Sequence, residues 1–148
     1  MKQVDIYTDG ACSGNPGAGG WCAILLFGGH EKVLSDGDPD TTNNRMEVYA
    51  AIAGLSALKE KCRVRLFSDS AYLVNAIEQN WLVGWKRANW INSQNKPVKN
   101  RDLWEKLSEL LAYHDVTFVK VKGHADNEYN NRCDKEARAA IEKLRIKN

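Results

Sequence analysis

The chain has 148 residues, of which 43% are hydrophobic and 27% charged, and its formal net charge is +2. A chain of this size buries one core, so we expect a single domain over residues 1–148. No apolar run approaches the ~20 residues that span a bilayer, and no apolar signal region precedes the first strand pattern. These features argue against a membrane protein and favour the cytoplasm. The four cysteines lack CxxC spacing, so we expect reduced thiols.

The hydrophobic patterns define an alternation of strands and helices. In chain order they predict strands at 3–9, 21–27 and 32–35, a helix at 44–59, a strand at 63–68, helices at 70–77 and around 103–111, a strand at 116–121 and a helix at 131–144. Gly28-Gly29 is a plausible hairpin turn. This order predicts an α/β protein with a mixed sheet, antiparallel first and parallel later, and helices on its faces.

Four acidic residues are candidates for chemistry. Asp9 ends one predicted strand and Asp69 follows another, where active sites gather in α/β sheets, although a turn and a helix cap explain each residue better when it is taken singly. Glu47 shares its helix face with small residues such as Gly54, so this face is expected to pack closely, and an unpaired carboxylate there is costly. Asp134 lies beside apolar positions of the last helix. If the four converge, their mutual repulsion requires cations such as Mg²⁺ or Mn²⁺.

A basic stretch runs from Asn80 to Arg101. It has charge +5 and no acidic residue, whereas the remainder of the chain sums to −3. Three tryptophans, Trp81, Trp85 and Trp90, alternate with its cations. This charge asymmetry suggests a basic surface on a mildly acidic body, which suits a polyanion at one place and metal cations at another.

Five sequence blocks are spread along almost the whole chain: Tyr7–Cys12 with Gly14–Gly17, Thr42–Glu47, Ser68–Ser70, Val121–His124 and Asn130–Asp134. Together and in this order they closely resemble the bacterial ribonuclease H type 1 family. The resemblance implies a ribonuclease H-like five-stranded mixed sheet, three antiparallel strands then two parallel, flanked by helices. It also implies an endoribonuclease that hydrolyses the RNA strand of RNA–DNA hybrids by two-metal-ion catalysis, leaving 5′-phosphate and 3′-hydroxyl ends.

The resemblance also assigns roles to residues. It places two Mg²⁺ ions, with Mn²⁺ as a possible substitute, among Asp9, Glu47, Asp69 and Asp134. It gives His124 a part in proton transfer or product release, although a lone histidine is more often a surface or core residue. The RNA contacts that it implies are Cys12, Asn15, Asn43 and Asn44. The DNA contacts that it implies are Thr42, Trp81, Trp85, Lys86, Arg87, Trp90, Lys99 and Asn100.

Some positions leave alternatives open. Trp81 and Trp104 are as well explained by a hydrophobic core as by contact with DNA. Asn15 between Gly and Pro could serve a turn alone. Asp40 stands where relatives often have Arg beside the DNA-phosphate pocket, which predicts weaker binding, and Ala71 replaces a Gln that contacts RNA in close relatives. We expect a monomer whose partner is the hybrid duplex.

Two other classes of protein compete with this interpretation. Resolvases, integrases and transposases use acidic metal sites on the same fold. They do not need the Asn43-Asn44 pair or the basic stretch with its tryptophans. A non-catalytic nucleic-acid-binding module has no need of all four carboxylates. Cleavage of a labelled hybrid, compared with duplex DNA, discriminates among the three.

Overall fold

The computed structural model describes residues 1–122 and 127–147. In chain order they form β1 (Lys2–Gly14), β2 (Gly17–Phe27), β3 (His30–Thr41), α1 (Asn43–Ser56), β4 (Cys62–Ser68), α2 (Ala71–Glu78), α3 (Trp81–Arg87), α4 (Arg101–Tyr113), β5 (Asp115–Lys120) and α5 (Glu128–Lys147). The strands form one sheet in the order β3-β2-β1-β4-β5. β1, β2 and β3 pair antiparallel, whereas β4 pairs parallel with both β1 and β5. The predicted mixed sheet is confirmed.

The antiparallel strands are longer than the sequence patterns indicated. β3 in particular continues well past residue 35, through Asp36, Asp38, Pro39 and Asp40. It is an edge strand, where charged side chains and proline are tolerated because one side of the backbone has no pairing partner. Polar composition therefore concealed its second half. The hairpin turn at Gly28-Gly29 is confirmed, since Phe27 pairs with His30 across it.

Helix α1 lies against the centre of the sheet. Its residues Val48, Ala51 and Leu55 are fully buried, and a Cβ on Gly54 would come within 2.9 Å of Cγ2 of Ile6. The small residue at this point lets the helix axis approach the strands closely. Tyr49 of the same helix is 40% exposed.

Helix α3 is the one element that the sequence patterns did not predict among the described residues. It begins the basic stretch and exposes Lys86 and Arg87 in its last turn. Trp85 on α3 packs between Trp81 and Trp104, with ring centroids 6.4 and 5.5 Å away. Trp104 is fully buried, so the structure assigns it to the core, whereas Trp81 stays 39% exposed. None of the helices in residues 1–122 and 127–147 is both long and apolar enough to cross a membrane.

Candidate active site

Two of the four acidic residues occupy the same level of neighbouring strands. The parallel ladder of β1 and β4 ends with the pair Tyr7–Phe67, and Asp9 and Asp69 each follow two residues later. β4 ends at Ser68, but β1 continues to Gly14, so the prediction that Asp9 ends a strand is wrong. The two carboxylates are nevertheless adjacent, because both lie just beyond the end of the parallel pairing.

Glu47 reaches the sheet from α1. Thr42 caps this helix, its Oγ1 accepting a hydrogen bond from the backbone N–H of Arg45. Glu47 lies directly over Gly10 of β1, where a Cβ would come within 2.6 Å of the Glu47 nitrogen. The missing side chain therefore lets α1 contact the strand, and Gly10 N–H donates to Glu47 Oε1 at 3.2 Å. The Asp-Gly pair, typical of a turn in sequence, is here a point of close backbone approach.

The structure brings the predicted carboxylates together. Ligand oxygens of Asp9, Glu47 and Asp69 all lie within 4.8 Å of one another. Asp134 of α5 lies beside this group, because its carboxylate contributes to the raised pKa of Asp9. Asp9 and Glu47 are buried, whereas Asp69 and Asp134 are partly exposed. His124 lies outside the described residues.

The electrostatics of this acidic cluster are unfavourable without a cation. Burial, and then repulsion from Glu47 and Asp69, raises the pKa of Asp9 far above its usual range. Burial, and then repulsion from Asp69, raises the pKa of Glu47, while the hydrogen bond from Gly10 opposes the rise. Glu47 Oε2 is buried and has no hydrogen-bond partner among the described residues. Hard divalent ions with oxygen ligands fit this arrangement, because they would satisfy the unpaired oxygen and neutralise the carboxylates.

The residues expected to contact RNA lie together at one end of the sheet. Asn15, in the β1–β2 turn, accepts a hydrogen bond from the backbone N–H of Asn43 through its Oδ1 at 3.1 Å. Cys12 of β1 is half-buried, and its Sγ lies 3.5 Å from the carbonyl oxygen of Thr41. Asn44 is exposed on the first turn of α1. Asn15 thus does more than serve a turn, since it fixes the start of α1.

The residues expected to contact DNA divide into two groups. Lys86, Arg87, Trp81 and Lys99 are exposed, while Trp85 and Trp90 are half-buried against the core. Thr42 and Asn100 directly precede α1 and α4, and both contact Arg45. Asn100 Oδ1 accepts from Arg45 Nη1 at 3.2 Å, and Asn100 Nδ2 donates to the hydroxyl of Tyr72 at 3.1 Å.

Sequence analysis missed the ion pair that holds this second group. Arg45 donates to both carboxylate oxygens of Asp102, at 3.0 and 2.9 Å, although the two residues are 57 positions apart. The hydrogen bond with Asp102 raises the pKa of Arg45, and the same contact lowers the pKa of Asp102. No local sequence pattern signals a pair at this separation.

A mixed five-stranded sheet with a carboxylate cluster just beyond its parallel strand pairing fits a metal-dependent nuclease. Comparison with known proteins makes the assignment specific. A sequence model of the RNase H family matches residues 1–142. A ribonuclease H of Moorella thermoacetica is 59% identical over 98% of this chain and 95% of its own length. One from Symbiobacterium thermophilum is 62% identical over 95% of this chain and 96% of its own length.

Solved structures show the same fold. LC9-RNase H1, described as a type 1 RNase H with the type 2 active-site motif, superposes with a TM-score of 0.86 at 25% identity, covering 97% of this chain and 74% of that one. LC11-RNase H1, solved with an RNA/DNA hybrid, gives a TM-score of 0.74 at 23% identity, covering 95% of this chain and 98% of that one. This chain belongs to the ribonuclease H family. The expected type 1 resemblance and enzyme class, a metal-dependent nuclease, are confirmed.

Proposed function

We propose that this protein is an endoribonuclease that hydrolyses the RNA strand of RNA–DNA hybrids with two divalent ions, Mg²⁺ or in its place Mn²⁺. The observation that carries the proposal is the meeting of Asp9, Glu47 and Asp69 oxygens within 4.8 Å, with Glu47 Oε2 buried and unpartnered. Asp134 adjoins this cluster through Asp9. Oxygen ligands from separate segments of the chain are thereby available at one place for a metal.

Each carboxylate has a distinct position for this task. Asp9 is central, because it contacts Asp134 and lies beside Glu47 and Asp69, which suits a ligand shared by two ions. Glu47 is oriented by Gly10, which occupies Oε1 and leaves Oε2 directed to a metal. Bound ions would stabilise charge on the phosphoryl oxygens and promote ionisation of the attacking water. Release of the 3′ oxygen leaves 5′-phosphate and 3′-hydroxyl ends.

Recognition of the RNA strand is assigned to the loop and helix start beside the cluster, through Cys12, Asn15, Asn43 and Asn44. Amide and backbone groups both donate to and accept from a 2′-hydroxyl, which is where RNA differs chemically from DNA. The hydrogen bond between Asn15 and Asn43 keeps these residues in a fixed relative position. Rigid placement of the RNA beside the carboxylates would position the scissile phosphate.

Recognition of the DNA strand is assigned to the two groups of residues around α3 and α4. The residues proposed to contact this strand are Thr42, Trp81, Trp85, Lys86, Arg87, Trp90, Lys99 and Asn100. Exposed cations attract phosphates irrespective of sequence, which suits an enzyme that cleaves many hybrids. Asp40 is exposed at the end of β3 and reduces this attraction locally. His124 completes the proposal as a proton carrier, since an imidazole titrates near neutral pH.

The cellular setting belongs to the same proposal. We expect a single catalytic domain that acts as a monomer in the cytoplasm. All four cysteines are free thiols, which fits a reducing compartment.

The test is cleavage of three labelled duplexes: an RNA–DNA hybrid, duplex RNA and duplex DNA, each with Mg²⁺ and with chelator. We expect cutting of the hybrid's RNA strand only, and only with metal. Phosphatase treatment of the products should remove a 5′-phosphate, and a polymerase should extend the 3′-hydroxyl. Cleavage of duplex DNA, or cleavage in chelator, would contradict the proposal.

A further inference from the structure

One arginine contacts the acidic cluster directly. Arg138 lies one helical turn after Asp134 on α5, and its Nη2 forms an ion pair with Asp134 Oδ2. Among the ion pairs of residues 1–122 and 127–147, this is the only one that involves any of the four carboxylates. Asp134 is therefore paired with a cation from its own helix.

The Arg138–Asp134 ion pair is weakly held. The Arg138 side chain is 66% exposed, and Asp134 is its only hydrogen-bond partner in the described part of the chain. The other arginines of α5 are held more firmly. Arg132 donates to both oxygens of Glu31, at 2.8 and 2.6 Å, and Arg145 contacts Glu142 and Ser13. An exposed pair one turn apart shifts an equilibrium by only about a factor of two, so Arg138 can be displaced at low cost.

A metal ion and Arg138 compete for the same group. A guanidinium N–H on Asp134 Oδ2 takes up one of the lone pairs that Asp134 could offer to a divalent ion, and its charge repels an ion bound at Asp9. We propose that Arg138 is an exchangeable counter-ion of Asp134: it neutralises this carboxylate in the metal-free enzyme, yields it when metal binds, and thereby sets the metal affinity. This inference rests on the proposed metal centre and adds a regulator to it.

Exchange has two consequences of opposite sign. Removing the charge of Arg138 leaves the carboxylate of Asp134 without its ion pair, so the metal-free protein should become less stable. The same change removes a competitor and a repelling charge, so metal should bind more tightly. A residue with only a structural role would not produce this opposition, because a loosened α5 would weaken metal binding as well.

The experiment is calorimetric titration of Mn²⁺ and of Mg²⁺ into the full chain without nucleic acid. Arg138→Gln should bind metal roughly five- to tenfold more tightly at low salt, with a smaller gain as salt screens the charge. Arg138→Lys, which keeps the charge, should stay within about twofold of the parent protein. Arg145→Gln is the matched control. It removes the same charge from the same helix at a point about 16 Å along the axis from Asp134, and should leave the affinity unchanged.

Thermal unfolding of the same proteins supplies the second readout. In chelator Arg138→Gln should melt at a lower temperature than the parent protein. Added Mg²⁺ should raise the melting temperature of Arg138→Gln by more than that of the parent protein. Equal metal affinity in Arg138→Gln and the parent protein, or equal gains in Arg138→Gln and Arg138→Lys, would overturn the counter-ion role. If either result is found while the parent protein binds metal and cleaves the hybrid, only the counter-ion role of Arg138 is wrong. If the parent protein binds no metal, the proposed function is wrong as well.

Discussion

Replacing Asp9 by asparagine should abolish hybrid cleavage and, in metal-free buffer, make the protein more stable. Asparagine has the size of aspartate, so packing is preserved while the central charge is lost. Two unit charges 4.8 Å apart repel by roughly 3.5 kcal/mol at an effective dielectric constant of about 20. Asp9 has two such neighbours, Glu47 and Asp69, but the raised pKa of Asp9 shows that protonation relieves part of this repulsion. We therefore expect a gain of about 1–3 kcal/mol.

The assay is thermal unfolding by circular dichroism in chelator. For a chain of this length 1 kcal/mol corresponds to about 4 °C, so Asp9→Asn should melt about 4–12 °C above the parent protein. The pKa of Asp9 is higher in the folded state than in the unfolded state, so its destabilising effect grows as pH rises above about 4. The advantage of the variant should consequently vanish in acid. Mg²⁺ should stabilise the parent protein more than the variant.

A variant that melts below the parent protein in chelator at neutral pH would refute the reasoning, because the cluster would then not repel. Undiminished cleavage by Asp9→Asn would refute the assignment of Asp9 as a metal ligand.

Three further predictions test other parts of the structure. Gly10→Ala should lower the free energy of urea unfolding by roughly 1–3 kcal/mol, because the new Cβ would lie 2.6 Å from the Glu47 nitrogen. Gly84→Ala is the control and should not lower it, because the space around Gly84 is open. Equal effects of the two substitutions would contradict the close approach of α1. The Lys86→Ala, Arg87→Ala double variant should raise KM and reduce the slope of log KM against log salt by about 2, and an unchanged slope would remove α3 from the DNA surface. His114 is buried and accepts from the backbone N–H of Cys62, and burial lowers its pKa, so the folded state resists its protonation. Stability should thus fall as pH drops below about 6.5, and His114→Gln should show a shallower loss between pH 7.5 and 5.5 in urea unfolding.

The sequence predicted the sheet because its core strands carry their own signal. Ile6, Val64 and Leu66 are fully buried and lie in segments rich in branched apolar residues. β3 and α3 gave weaker signals for opposite reasons. β3 is a polar edge strand. α3 is a seven-residue helix in which Leu82 is buried and Trp85 is partly buried against the core. Neither has enough apolar residues on one side to set a clear period.

The candidate site was predictable in membership but not in geometry. The family resemblance named the acidic residues, and the structure shows that their approach depends on Gly10, whose role no turn pattern reveals. The pairs Arg45–Asp102 and Arg138–Asp134 were both missed. The Arg45–Asp102 pair joins distant segments of the chain. The Arg138–Asp134 pair has a spacing common in helices, and its position beside the other carboxylates is visible only in the structure.

The most direct measurement of the central claim is a crystal of the protein soaked in Mn²⁺ and examined by anomalous diffraction. The account predicts manganese peaks between the carboxylate oxygens of Asp9, Glu47 and Asp69, and between those of Asp9 and Asp134, with both lost in Asp9→Asn crystals. Manganese bound only elsewhere, with the four carboxylates bare at saturating metal, would contradict it.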